Sequence, residues 1–315
     1  MEELIIDLDQ DQKRLDVILA ENFSDLSRSH FQKLIKDGKI LVNGETKKSS
    51  YKCQVDDVLT IEEIQAKPVE ILPEDIPLDI LYEDEDVLVV NKPKDMVVHP
   101  APGHPGGTLV NAVMYHCGDS LSGINGEIRP GIVHRIDKDT TGSLVICKND
   151  SAHISLAEQM KKHSVNRVYL GIVCGKEIPE KGIVDAPIGR DPKDRIKMAI
   201  NEKNGKPAVT HYKTICQNNG YALMEFRLET GRTHQIRVHM SSLGFPLLGD
   251  EIYGTKKCPF KLQGQCLHAY KLGFIHPKSG EYIECNAPVP GYFEHLLDVL
   301  RLKNDDYLSF IQDEL

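Results

Sequence analysis

The residue of this chain best placed to do chemistry is an aspartate in a polar loop between two apolar runs. The loop reads Gly131-Ile132-Val133-His134-Arg135-Ile136-Asp137-Lys138-Asp139-Thr140-Thr141-Gly142 and leaves as Ser143-Leu144-Val145-Ile146-Cys147. Strands on either side would make a rigid frame that presents the loop side chains, a setting in which catalytic groups concentrate. An ionised carboxylate there can stabilise a developing positive charge, trap it covalently, or remove a proton. Spacing alone favours a plainer role, in which Asp137 or Asp139 only bonds its own backbone in a charged turn. Cys258, Cys266 and His268 could suggest zinc, but their spacing fits no strong metal pattern. The paired His-x-Glu and Cys-x-x-Cys of a zinc nucleobase deaminase is missing from the sequence, as is any Gly-rich phosphate loop. His99 and His104, in a Pro/Gly-rich loop, read as solvent-exposed, and His234 and His239 read as structural.

The elements that must hold this loop are mostly short β runs: Val87–Val90, Gly131–His134, Leu144–Cys147, Tyr169–Cys174, Tyr221–Leu228 and Leu267–Ile275. Helices are expected after Ser151 and near His234–Leu243. Strands and helices do not alternate regularly, which predicts an α+β fold with a largely antiparallel sheet. The N-terminal segment reads as a separate small module. Leu15, Ile18, Leu19 and Phe23 recur at helical spacing. A second short helix capped by Ser27 carries Phe31, Leu34 and Ile35 and stops at Gly38. Ile40-Leu41-Val42 before Asn43-Gly44 then predicts a hairpin. The divisions expected are a module over 1–63, a Pro-rich acidic linker over 64–77, a main domain over 78–300, and a surface extension over 301–315.

A net charge of −9 looks wrong for a nucleic-acid binder. The acids are concentrated, however: eight lie in residues 1–27 and twelve in 53–86, against three bases in the two segments together. The rest of the chain carries +8, and residues 28–52 hold seven bases and two acids. Phosphate binding depends on local Lys/Arg density, so RNA is not excluded. Without a basic leader or an apolar run near the ~20 residues of a membrane span, a cytoplasmic protein is expected. Three of the eight cysteines, Cys147, Cys174 and Cys216, end strand-like apolar runs, where a buried free thiol packs well. A disulfide framework is not expected.

The Asp137 segment closely resembles the signature of the RluA/RluD-type RNA pseudouridine synthases, His-Arg-Leu-Asp followed by Thr/Ser-Gly, with Ile136 in place of Leu. Further blocks follow in family order: Asn91-Lys92-Pro93, Arg167-Val168-Tyr169-Leu170, Gly205–Thr210, Gly231–Met240 and Leu267-His268-Ala269. The N-terminal module resembles the S4 RNA-binding domain. The resemblance implies a cofactor-free, metal-free isomerisation of uridine to pseudouridine, on the pseudouridine synthase fold with its large mixed, mainly antiparallel sheet. By the same resemblance Asp137 is the catalytic carboxylate, Arg237 its salt-bridge partner with Arg232 the competitor, and Tyr169 the aromatic against the uracil. Arg135 is implied to fill the space that the flipped base vacates. Arg28, Lys33, Lys36, Lys47 and Lys48 are expected to contact RNA. The implied substrate is structured RNA, large-subunit ribosomal RNA first and transfer RNA as the alternative, with the enzyme a monomer. An RNA-binding assembly protein without catalysis is the competing reading; intact Asp137, Tyr169 and Arg237 argue against it.

Overall fold

The computed structural model describes residues 2–23, 28–62, 71–101, 103–118, 120–124, 130–194, 197–254 and 258–313. The chain divides into two compact units, Met1–Pro68 and Val69–Leu315.

The first unit contains β1 (Glu2–Ile5), α1 (Leu15–Asn22), α2 (Arg28–Lys36), β2 (Ile40–Val42) and β3 (Val58–Ile61). Helical spacing puts Leu15, Ile18 and Leu19 on one buried face, against Phe31 and Ile35 of α2. Ser27, expected to cap α2, lies outside the described residues. The turn at Asn43-Gly44 forms, with φ +52° and +77° and Val42 bridged to Glu45. The expected hairpin goes no further, because β2 pairs antiparallel with β3 in the sheet order β1-β3-β2. Glu45-Thr46-Lys47-Lys48 has no alternating apolar face to bury, whereas Val58-Leu59-Thr60-Ile61 buries Leu59 and Ile61.

The second unit is built on one large sheet. Its elements are β4 (Ile80–Glu83), β5 (Val87–Lys92), α3 (Leu109–Cys117), β6 (Thr141–Cys147), α4 (Asp150–Lys161), β7 (Asn166–Cys174), β8 (Lys181–Asp185), β9 (Ile188–Arg190), β10 (Met198–Ile200), β11 (Val209–Asn218), β12 (Tyr221–Leu228), α5 (Gln235–Ser242), β13 (Leu267–Ile275), β14 (Tyr282–Asn286), α6 (Gly291–Val299) and α7 (Asp305–Asp313). Among the described residues nine strands run in the order β4-β5-β6-β13-β7-β12-β11-β8, with β14 branching from β13. Among the described residues only β6 and β13 pair in parallel, so the sheet is mixed and mainly antiparallel, as the sequence predicts. Alternation along β6 feeds two cores: Leu144 and Ile146 pack on one face with α3 and α5, Val145 and Cys147 on the other with α4. Both faces are covered, which is why the strand reads as an unbroken apolar run.

Three expectations need correction. Residues 131–134 form no strand; Ile132 alone bridges to Ile146. The described end of the expected linker, 71–77, is held to the main domain: Ile71 is buried, Asn111 donates to the Leu72 carbonyl at 2.7 Å, and the Gly107 N–H donates to Glu74 at 3.0 Å. The expected surface extension instead folds back. Leu302 and Tyr307 are buried against Leu296 and Leu297 of α6, and the Tyr307 hydroxyl donates to Glu294 at 3.1 Å. Lys303, Asp305 and Asp306 on its outer side hide the short amphipathic pattern.

Gly142, in the Thr-Thr-Gly of the aspartate loop, sits opposite Ala269 at the β6–β13 junction with φ +111°. A Cβ there would fall onto the Ala269 carbonyl oxygen, which is backbone and cannot move aside. Gly142→Ala should therefore cost at least about 3 kcal/mol of stability, read from urea unfolding.

Candidate active site

Within the second unit a cleft of roughly 870 Å³ is lined by the Ile132–Asp137 loop, Arg167 and Tyr169 of β7, and the Gly231–Arg237 segment that opens α5. Gln235 shapes that opening. Its Oε1 accepts from the Arg232 N–H (3.0 Å) and the Thr230 hydroxyl (2.8 Å), and its Nε2 donates to the Val209 carbonyl (2.9 Å). The residue before it, His234, adopts the left-handed conformation at φ +57°. The helix thereby projects Arg237 inward, where its side chain is 6% exposed.

Arg237 holds two carboxylates at once. Nε and Nη2 donate to the fully buried Asp250 at 2.7 and 3.0 Å, and Nη1 donates to Oδ2 of Asp137 at 2.9 Å. Burial works against the guanidinium's charge, but the hydrogen bonds and charges of Asp250 and Asp137 hold its pKa above the ordinary arginine value. Burial likewise opposes ionisation of Asp250, and Arg237 with the Ile252 and Tyr253 N–H groups more than offsets it, lowering the pKa. The second oxygen of Asp137, Oδ1, faces the cleft, with Nε2 of His234 at 3.9 Å.

The loop carrying Asp137 is fixed from below. Lys92, at the end of β5, has no exposed surface, and its Nζ donates to the carbonyls of Pro93 (2.7 Å), Met96 (2.8 Å) and Lys138 (3.0 Å). Burial pulls its pKa down to about 7. The Thr140 N–H closes the turn onto the Asp137 carbonyl at 3.1 Å. The neighbouring Asp139 carboxyl is half-buried and pushed up by desolvation.

Tyr169 is buried on the cleft-side core, its hydroxyl raised in pKa by burial. Arg135 lies exposed at the rim, 3.4 Å from Nε2 of His99, which is itself buried rather than solvent-exposed. Arg232 is anchored to the Pro207 carbonyl (2.9 Å) and does not reach Asp137, so of the two candidate arginines only Arg237 pairs with it. His239 is structural as expected, bonded to Thr210 (2.9 Å) and the Ala186 carbonyl (3.0 Å), whereas His234 lines the cleft. In the N-terminal unit Lys33, Lys36 and Lys48 are exposed, but Arg28 is paired with the buried Asp16 at 3.0 Å and Lys47 with Glu45 at 2.6 Å. The possible zinc set does not converge among the described residues. Cys258 is exposed, while His268 is buried and spent on Thr141 and the Ala287 carbonyl. A different trio, Asp84, Asp86 and His276, does come together. Its His276 Nδ1 is occupied by the Lys278 and Ser279 backbone N–H groups, and Nε2 lies 2.8 Å from Asp84.

Sequence reasoning missed Asp250 and the loop-holding role of Lys92. Lys92 lies within the Asn91-Lys92-Pro93 block; Asp250, thirteen residues beyond Arg237, carries no signal.

This fold agrees with what the chain is similar to. The family model for RNA pseudouridylate synthase matches residues 86–242, and that for the S4 domain matches residues 13–59. The chain belongs to the RNA pseudouridine synthases. It is 51% identical to an uncharacterized RNA pseudouridine synthase of Bacillus subtilis, over 93% of this chain and 96% of that one. It is 48% identical to the ribosomal large subunit pseudouridine synthase D of Zymomonas mobilis, over 92% and 95%. The solved structure of human RNA pseudouridylate synthase domain containing 4 superposes with a TM-score of 0.55 at 26% identity, covering 71% of this chain and 93% of that one.

Asp250→Asn should loosen the grip on Arg237 by replacing one charge-assisted contact with an amide. Single-turnover pseudouridine formation should fall about ten- to hundredfold while RNA affinity holds, and stability should drop by about 1–3 kcal/mol in urea.

Proposed function

We propose that this enzyme converts uridines of large-subunit ribosomal RNA to pseudouridine, with Asp137 as the reacting carboxylate. The N1–C1′ bond breaks, the uracil turns over, and C5 bonds to the same ribose carbon while the C5 proton moves to solvent and N1 gains one. Reactant and product hold the same atoms. The observation that carries the assignment is the asymmetry of Asp137: Arg237 occupies Oδ2, and Oδ1 is left toward a cleft that also contains Tyr169. The Arg237 guanidinium at 2.9 Å complements an anionic carboxylate, and negative charge is what a developing positive sugar centre requires.

Tyr169 packs against the uracil, Arg135 at the rim enters the stack that the flipped base has left, and Arg232 meets phosphate. A planar guanidinium suits the rim position because it can stack and bond phosphate together. Ribosomal RNA is favoured over transfer RNA by the 48% identity to a relative named for the large ribosomal subunit and by the S4 domain. Lys33, Lys36 and Lys48 supply the exposed charge of that domain; Arg28 and Lys47, already paired, contribute less.

Asp137→Asn should lower turnover at least about a thousandfold without weakening RNA binding, because the amide keeps the shape and removes the charge. Mapping of pseudouridines in an unmodified large-subunit transcript treated with wild type and variant reads the outcome; turnover by the pure Asn variant would sink the assignment. For the basic surface, replacing Lys33, Lys36 and Lys48 together by alanine should make RNA binding less sensitive to salt. The log–log slope should fall by about one unit for each phosphate that these lysines neutralise.

A further inference from the structure

His234 sits in the cleft at the end of a chain of hydrogen bonds that runs through Tyr253. The Met198 N–H donates to the Tyr253 hydroxyl oxygen at 2.9 Å. That hydroxyl lies 2.8 Å from Nδ1 of His234, where its own proton can donate. With that hydroxyl donating to Nδ1, neutral His234 carries its proton on Nε2, the nitrogen 3.9 Å from Oδ1 of Asp137. Burial, together with Arg237 and Arg135, lowers the histidine pKa against the pull of Asp137 and Asp250, which favours this neutral form. Tyr253 is itself held: its N–H and that of Ile252 donate to Asp250, its carbonyl accepts from Ser241, and the Arg237 guanidinium lies 5.1 Å over its ring. The backbone of His234 is kept in the left-handed region, a conformation that non-glycine residues hold at a cost where the surroundings impose it.

A donor and an acceptor 3.9 Å apart are too distant to bond each other. One oxygen about 2.8 Å from both would fit between them, provided that it can accept from Nε2–H and donate to Oδ1. A hydroxyl meets both demands; a carbonyl or phosphate oxygen cannot donate. The ribose hydroxyl adjacent to the carbon at which the glycosidic bond breaks is the 2′-hydroxyl. We propose that His234 is a specificity and positioning residue that, with Oδ1 of Asp137, grips the 2′-hydroxyl of the target uridine. The pair thereby aligns C1′ with the carboxylate and selects ribose over deoxyribose. This rests on Asp137 being the reacting carboxylate. Tyr253 acts through His234 by holding its tautomer.

The test uses the full-length enzyme and a short stem–loop around a uridine that the wild type converts in a large-subunit transcript, made with uridine or 2′-deoxyuridine at that position. Single-turnover rates are measured for wild type, His234→Leu, His234→Gln and Tyr253→Phe. Removing the 2′-hydroxyl should slow the wild type about ten- to hundredfold, the effect of leaving a buried donor unpaired. His234→Leu should lose a similar factor on the ribose substrate and little more on the deoxy substrate, because both changes remove the same interaction. His234→Gln, whose Nε2 retains a donor, should recover much of the rate. Tyr253→Phe leaves the histidine backbone undisturbed and should show a smaller loss that is likewise confined to the ribose substrate. Losses that multiply, or a Gln variant no better than Leu, would overturn the proposal. So would a Tyr253→Phe rate equal to wild type. If instead the transcript is not converted by wild type at all, or Asp137→Asn is active, the reading of the site itself has failed.

Discussion

One buried guanidinium holds this site together. Arg237 gives two of its nitrogens to Asp250 and a third to Asp137, so a single cation serves two anions from two different loops. The roles of the acids differ because their surroundings differ. Asp250 has no exposed side-chain surface and collects two further backbone N–H groups, which makes it a fixed base for the fork. Asp137 keeps 19% exposure and has one oxygen, Oδ1, that the arginine does not hold. An arginine with Asp137 alone would be free to rotate about its side chain. Clamped by Asp250, it can reach Asp137 from one direction only.

The remaining architecture keeps that geometry while the cleft stays open. The aspartate loop passes directly into β6, a central strand buried on both faces, so its end cannot drift. At the junction Gly142 lets β6 approach β13 more closely than any side chain allows. Lys92 ties the loop carbonyl at Lys138 to the Pro93–Met96 turn, its Nζ bonded to three backbone oxygens. Such internal satisfaction is the condition under which a lysine can be wholly buried. Arg237, Lys92 and Gly142 thus constrain the same twelve-residue loop from three sides.

The charge is unevenly distributed along the chain. The overall balance is −9, yet the exposed lysines of α2 and the turn after β2 lie in a stretch with seven bases and two acids. Within that stretch the structure separates structural from available charge. Arg28 is committed to a buried aspartate, and Lys47 to a glutamate, while Lys33, Lys36 and Lys48 remain exposed. Counting basic residues in a sequence cannot make that distinction, because a pair depends on which acid folding brings alongside.

Much of the molecule was nevertheless legible from residues alone. Alternation and apolar runs located five of the six predicted β runs, since a strand buried on one or both faces must repeat accordingly. Motif order singled out Asp137, Tyr169 and Arg237, and folding brings all three to one cleft. What failed was decided at long range. Gly131–His134 looked like a strand but found only one pairing partner, and the hairpin at Asn43-Gly44 gave way to a better apolar strand fifteen residues on. The C-terminal residues looked like a surface tail until Leu302 and Tyr307 met α6. Asp250 had no local mark at all, and His234 read as structural. Their significance arises only when α5, the turn after it and the aspartate loop converge, because a hydrogen bond is set by where two groups arrive in space and not by their separation along the chain.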